Sequence, residues 1–185
     1  MKTYETRDEM IAHLIRPGDR VCELGVFKGD FARQILKQEP GQLVLVDPWK
    51  GICSSGNQDG NDVETVNLGA VFLTIKKEFE AYPTVELRRQ LSFDALPSFP
   101  DEWFDLIYID SSHSYEGTKK ELYLALKKTR KGGFICGHDY SVNKAKCNHD
   151  YNFGVKEAVD EFCKDFHYKV VALADDGCRS FAIKV

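Results

Sequence analysis

The chain holds no apolar run approaching the roughly 20 residues needed to span a bilayer, and its first residues, Met1-Lys2-Thr3-Tyr4-Glu5-Thr6, contain no apolar signal core. It carries no excess of positive charge. The formal net charge is −4, which gives none of the basic footprint that a nucleic-acid-binding face requires. None of the six cysteines forms a CxxC pair, so the usual sequence sign of a zinc site or a redox dithiol is missing. Cys22 and Cys136 fall inside apolar runs and read as small core residues. No internal repeat or low-complexity tract is present, and the G-x-G-x-x-G spacing of a dinucleotide-binding turn does not occur. These absences leave a cytoplasmic, single-domain globular protein as the expectation. Its 185 residues suffice for a substantial core.

What is there alternates between strand and helix patterns. Residues 5–16 read as an amphipathic N-terminal helix closed by Pro17-Gly18, ahead of a core covering 19–185. Asp19–Leu24, Leu43–Val46, Val85–Leu91, Phe104–Ile109 and Phe134–Cys136 read as strands. The continuous apolar run Leu43-Val44-Leu45-Val46 suits a strand buried on both faces. Helices are predicted at Asp30–Lys37, Val63–Tyr82, Tyr115–Lys128 and Phe153–Phe166, with polar loops at 48–61 and 140–152. Tyr168–Leu173 and Ser180–Val185 follow as two strands whose connection is too short for a crossover helix, so they should pair antiparallel. Right-handed crossovers then predict an α/β, doubly wound, mainly parallel sheet. In such sheets ligands bind beyond the carboxyl ends of the strands. Glu23, Asp47, Ser92, Asp110 and Asp139 all fall at or just past predicted strand ends.

Glu23-Leu24-Gly25-Val26-Phe27-Lys28-Gly29 is a strand end, a glycine-spaced turn and a helix start. The G-x-x-x-G spacing and the acid at its beginning argue against pyrophosphate and for a cationic or hydroxyl-bearing ligand. Asp47 lies 22 residues beyond Gly25, against the roughly 20 expected of a ribose-binding acid. It also fits a strand-ending Asp that starts the Pro48 turn. Trp49 either closes the pocket or packs. Leu91-Ser92-Phe93-Asp94 can flank a base or open a short helix. Tyr108-Ile109-Asp110-Ser111-Ser112-His113-Ser114-Tyr115 puts an acid, serines and a histidine at a strand end. Asp110 could hold a metal, an amine or a proton, and His113 could be a base, since an imidazole titrates near neutrality. Ser112 or Ser114 could instead cap the next helix. Gly137-His138-Asp139-Tyr140 repeats the pattern one strand on. Asp110 and Asp139 could form a divalent-cation site or an acid/base pair.

Taken together, the turn at 23–29, Val46-Asp47-Pro48-Trp49, the segment 108–115 and Gly132-Gly133-Phe134-Ile135-Cys136-Gly137-His138-Asp139-Tyr140 resemble the class I S-adenosylmethionine-dependent methyltransferases. They are most similar to a small bacterial subfamily with Y-I-D-x-x-H-x-Y and G-H-D-Y motifs, near the macrocin-type and catechol-type O-methyltransferases. The resemblance covers roughly 19–185. It implies a Rossmann-like, seven-stranded sheet in the order 3-2-1-4-5-7-6 with the last strand antiparallel. It implies S-adenosylmethionine as cofactor, held by Glu23, Gly25, Val26 and Gly29 at the methionine end, Asp47 and Trp49 at the ribose, Leu91, Ser92 and Phe93 at the adenine, and Asp110 by the methionine. Catalysis would fall to Asp110, His113 and His138. Asp110 and Asp139 would bind Mg²⁺ or another divalent cation, as in metal-dependent relatives. The third acid or amide that those relatives place after the fifth-strand acid is replaced here by Tyr140. The expected partners are a small-molecule acceptor, with a hydroxyl as its methylated group, and further copies of the chain in a homo-oligomer; nucleic acid and membrane are not expected. Specificity would come from the loops at 50–61 and 140–152 and from the N-terminal helix. Two alternatives remain at this stage. One is a hydroxylase-type relative with iron on His113, His138 and a carboxylate. The other is a non-catalytic nucleoside-binding module.

Overall fold

Buried strands in this chain are short β-branched and leucine runs, each followed by a turn and a helix with one apolar stripe. The computed structural model describes residues 1–50, 52–56, 63–141 and 154–185. Along the chain the elements are β1 (Lys2–Tyr4), α1 (Arg7–Leu14), β2 (Arg20–Leu24), α2 (Asp30–Leu36), β3 (Gln42–Val46), β4 (Ile52–Gly56), β5 (Val63–Asn67), α3 (Leu68–Phe79), β6 (Val85–Arg88), α4 (Ser92–Ala95), a 3₁₀ turn (Leu96–Ser98), β7 (Phe104–Ile109), α5 (Tyr115–Lys128), β8 (Thr129–Gly137), α6 (Val155–Asp165), β9 (Val170–Ala174) and β10 (Ser180–Lys184).

One eight-stranded sheet runs β1-β9-β10-β8-β7-β2-β3-β6. β2, β3, β6, β7 and β8 are parallel, and β10 is antiparallel to both β8 and β9. This is the expected order with one strand more. The addition, β1, lies parallel on the outer edge of β9, with Lys2 opposite Ala172 and Tyr4 opposite Ala174. Three residues carry too little alternation to be read as a strand in advance. The sheet is buried on both faces. Val21, Leu43, Leu45, Leu106 and Tyr108 pack against Met10, Ile11, Phe31, Ile35, Ile75 and Phe79. Cys22, Leu24, Val44, Val46, Ile107 and Ile109 pack on the other face against Leu96, Leu122, Ala125, Val159 and Phe162. Successive strand residues alternate between the two layers because the side-chain period of a strand is two.

Several boundaries differ from the sequence-based expectation. The helix predicted over Val63–Tyr82 begins only at Leu68; residues 63–67 form β5, paired antiparallel with β4 in a separate two-stranded sheet. The β-branched residues Val63, Thr65 and Val66 favour strand, and Asn67 is the helix stop signal's counterpart, an N-cap whose side chain accepts the Ala70 N–H. The expected loop over 48–61 accordingly contains β4, while 51 and 57–62 lie outside the described residues. So do 142–153, most of the second proposed specificity loop. The fifth core strand, β8, starts at Thr129 rather than Phe134, with a register shift against β7 between Phe104 and Leu106.

At the centre of the sheet the chain turns from β2 towards β3 on one side, while β7 lies on the other. This is a topological switch point, where a crevice opens beyond the strand ends. Leu24 O accepts the Asp110 N–H at 2.7 Å and Val46 O accepts the Gly25 N–H at 2.9 Å. Gly25 has φ +87°, and a Cβ built there would lie 2.1 Å from the Asp110 carbonyl oxygen. Gly25→Ala should therefore lower stability by roughly 2–5 kcal/mol, from backbone strain plus overlap. Urea denaturation measures this; an unchanged midpoint would show that the two strand ends can separate freely.

Candidate active site

Past the carboxyl ends of β2, β3, β7 and β8, four loops carry the polar residues. The first is the 25–29 turn. Phe27 has φ 48° and Gly29 φ 77°; at Gly29 a Cβ would meet Ile75 Cδ1 at 2.7 Å, so the turn lies flat on α3. Phe27 is a bulky residue in left-handed backbone, a conformation that persists only where its surroundings impose it. Asp47 imposes it. Its Oδ2 accepts the N–H groups of Val26 and Phe27, both at 3.0 Å, and its Oδ1 accepts the Trp49 N–H at 2.6 Å. A carboxylate offers about four lone-pair sites, so most of Asp47 is committed to shaping the turn. Trp49 is fully buried. Its indole N–H donates to Phe27 O at 2.9 Å, and its ring lies 5.2 Å from that of Phe72. Trp49 thus holds the turn from beneath.

Arg7, Glu23, Gly25, Val26, Asp110 and His113 are among the residues lining a cavity of about 300 Å³ above this turn. Glu23 is 1% exposed, and among the described residues its Oε2 has no hydrogen-bond partner. Burial, reinforced by the charge of Asp110, pushes the Glu23 carboxyl well above the usual carboxylate range, with Arg7 pulling the other way. Asp110 is raised by burial and by Asp139, and lowered by His138 and Arg7. Its Oδ2 accepts a hydrogen bond from Arg7 Nη1 at 3.0 Å.

Behind the cavity stands Asp139, 6% exposed and in left-handed backbone at φ 57°. Its Oδ2 is 2.8 Å from His113 Nδ1, and its Oδ1 is 3.3 Å from His138 Nδ1. Burial would raise the Asp139 carboxyl, but hydrogen bonds from His113 and His138 outweigh it and hold the group well below the usual range. Reciprocally, the Asp139 hydrogen bond raises the His113 imidazole, against a smaller opposing effect of burial. His138 Nδ1 also lies 3.8 Å from Asp110 Oδ1. Asp110, His113 and Asp139 each offer one ligand atom, all within 4.8 Å of one another. His138 lies outside this group, although its Nδ1 faces both Asp139 and Asp110.

On the third side, Leu91 and Phe93 are exposed at 52% and 37% while Ser92 between them is buried. Ser92 does not cap α4, which has no side-chain cap. Its hydroxyl donates instead to Glu121, as does the hydroxyl of Ser111. Glu121, fully buried on α5, was not among the expected site residues. It ties the loop after β6 to the loop after β7. The signal was its place on the spacing Thr118, Glu121, Leu122, Ala125, an acid on an otherwise packed stripe. Burial raises its carboxyl, and the two serine hydroxyls oppose that. Ser114 does cap α5, accepting the Gly117 N–H. Arg7, also unassigned from sequence, reaches the cavity from α1.

Residues 22–140 match a family described as a methyltransferase domain. No curated protein matches the chain. Among solved structures, the O-methyltransferase NovP is 22% identical at a TM-score of 0.64, over 96% of this chain and 78% of that one. The O-methyltransferase from Bacillus cereus, in complex with SAH, is 16% identical at 0.60, over 96% and 77%. The N-methyltransferase NodS from Bradyrhizobium japonicum WM9 is 11% identical at 0.65, over 96% and 93%. At these identities the likeness speaks for the fold, whereas the family match spans more than half of the chain. With the strand order, the glycine turn and the strand-end acids in the family's sequence, the chain belongs to the methyltransferase-domain family and is a class I S-adenosylmethionine-dependent methyltransferase by fold.

Proposed function

We propose that the protein methylates a hydroxyl oxygen of a small molecule, with S-adenosylmethionine as donor and His113 as the base that takes the hydroxyl proton. The observation that carries this reading is the Asp139–His113 pair, with a buried carboxylate orienting an imidazole that lines the cavity.

The cavity fits the cofactor's amino-acid end. A buried carboxylate oxygen without a partner costs about 1–3 kcal/mol, and an ammonium group donating to Glu23 Oε2 removes that cost. The backbone of Gly25 and Val26 forms the adjoining wall. Asp47 maintains the turn and retains lone-pair capacity for a ribose hydroxyl. Leu91 and Phe93 supply the exposed apolar surface an adenine would cover. When bound, the sulfonium supplies an electrophilic methyl carbon, so the protein's task is to position the acceptor and remove its proton. Asp139 does the second part through His113. It fixes the ring by Nδ1 and, by raising the imidazole above its ordinary value, makes it a stronger base. The same three groups, Asp110, His113 and Asp139, offer a divalent cation one ligand each, and a cation there would activate the hydroxyl in the imidazole's place.

Three outcomes are expected. Isothermal titration should show binding of S-adenosylhomocysteine on the micromolar scale; no heat at millimolar ligand would remove the cofactor assignment. His113→Gln should lower kcat by about 10²–10⁴-fold, with activity of the wild type unaffected by EDTA. Activity lost to EDTA and restored by Mg²⁺ or Mn²⁺ would replace the base with the cation. The third concerns pH. A raised imidazole means that the ion pair stabilises the fold below the ordinary value of 6.5 and loses that contribution as pH rises through the higher folded value. Asp139, lowered from 3.8, contributes above that value and loses the contribution as pH falls through its depressed one. The basic form of His113 acts, so the ascending limb of kcat should lie above pH 6.5. Asp139→Asn should move both that limb and the His113 titration, followed by NMR, to lower pH. An unmoved limb would mean that another group is the base.

A further inference from the structure

Helix α5 buries one stripe against the sheet, with Thr118, Glu121, Leu122 and Ala125 on it. The opposite stripe, Glu116, Lys120, Tyr123 and Lys127, is exposed. Its spacing of four, three and four residues is that of a heptad seam, the pattern by which two helices pack side by side. Tyr123 is 41% exposed, with Phe93 and Phe166 also open to solvent. Its ring is held edge-on by those of Phe162 and Phe166, at 6.0 and 5.1 Å. Phe93, Glu116, Lys119, Lys120, Tyr123 and Leu124 line a groove of about 630 Å³ along this face. It shares no lining residue with the cavity above the 25–29 turn.

The order of charge along the stripe decides what fits there. Glu116 stands in the first turn of α5 and Lys127 in the last, so the two ends carry opposite charge. Lys119 is engaged with Glu161, whereas among the described residues Glu116 and Lys120 form no ion pair. Lys127 meets Asp101 at 3.6 Å with both side chains more than half exposed, the kind of pair that contributes little. Turned end for end about a twofold axis between Lys120 and Tyr123, the stripe matches itself. Glu116 then meets the partner's Lys127, and the Lys120 ammonium lies over the ring of the partner's Tyr123, a cation–π contact. Each contact occurs twice, residue i on j and j on i, as a twofold interface demands. A parallel pairing would instead set Glu116 against Glu116 and Lys120 against Lys120, which repel.

We propose that this face of α5 docks a second copy of the chain, with the two α5 helices antiparallel and Phe93 and Leu124 covered at the flank. The contact is one helix pair with its aromatic borders, at the small end of specific interfaces, so a dissociation constant on the order of micromolar to tens of micromolar is expected. The pairing goes beyond the proposed reaction and does not depend on it.

Sedimentation velocity of the full chain, from about one to several hundred micromolar, should show a monomer passing to a dimer. Glu116→Lys and Lys127→Glu each set like charges opposite one another and should weaken the dimer by about tenfold or more. Mixed in equal amounts, the two variants should form a heterodimer of near wild-type strength, because both ion pairs then re-form with their signs exchanged. Circular dichroism checks that each variant folds. Lys120→Glu, in mid-helix, serves if a change near a helix end melts α5; it should also weaken the dimer, since a carboxylate is repelled by the face of the Tyr123 ring. A wild type that stays monomeric throughout overturns the proposal. So does a dimer whose strength the charge reversals leave unchanged, or one that mixing the two variants fails to restore.

Discussion

The site depends on one close approach. The backbone of Gly25, at the end of β2, lies against the carbonyl of Asp110, at the end of β7, with no room for a Cβ between them. Both strand ends are locked by hydrogen bonds, Asp110 N–H to Leu24 O and Gly25 N–H to Val46 O. Their proximity makes a crevice at the point where the strand order reverses, and it brings Glu23 and Asp110 to a single cavity. Asp47 completes the arrangement by holding Val26, Phe27 and Trp49 through three backbone N–H groups. Two aromatic residues, Phe27 and Trp49, occupy left-handed backbone as a result. The strain they carry is the kind that packing must over-determine at a binding site.

Three acids, Glu23 and Asp139 buried and Asp110 partly so, share this region and behave differently because their surroundings differ. Asp139 is hydrogen-bonded by two histidines and stays ionised. Asp110 is divided between Arg7 on one oxygen and His138 near the other. Glu23 keeps an oxygen without a partner. The satisfied acid orients an imidazole, the base of the proposed reaction, and the unsatisfied one presents an open acceptor to a cationic ligand. Separation of roles by environment, with like residues at neighbouring strand ends, is how one fold supplies both binding and proton transfer. Glu121 adds a fourth carboxylate whose part is mechanical, joining Ser92 and Ser111 and hence the loops on either side of the expected adenine position.

Solved structures with this fold include enzymes described as O-methyltransferases and as an N-methyltransferase. The acceptor is therefore a property of side chains on the loops, not of the sheet. In this chain the site's polar set comes in large part from α1, the 108–115 segment and the 137–140 segment. β1 and α1 dock on the sheet's far edge through β9 and the Asp175–Asp176 turn, with Asp175 N–H on Tyr4 O and Arg7 N–H on Asp176. That attachment carries a cation across to the cavity.

Much of the fold was legible in local pattern. Apolar runs such as Leu43–Val46 specify a strand buried on both faces, and five such runs separated by helical stretches leave few topologies. The placement of Glu23, Asp47, Asp110 and Asp139 beyond strand ends followed from that pattern, while the order of seven strands was implied by the resemblance to the methyltransferases. β1 and the β4–β5 pair were not legible. Three residues have too little pattern, and Val63–Asn67 leads into a genuine helix with no proline or glycine between them. For the site, sequence identified the residue types and their neighbourhoods, because strand-end acids and glycine turns are local features. It could not say which oxygen of Asp47 is already taken, that Trp49 packs beneath the turn, or that Glu121 and Arg7 point inward. Those are contacts between residues up to 103 positions apart, as Arg7 and Asp110 are. Only the packing of α1 and α5 against the sheet brings them together, since no local periodicity encodes which charged side chain will meet which across a folded core.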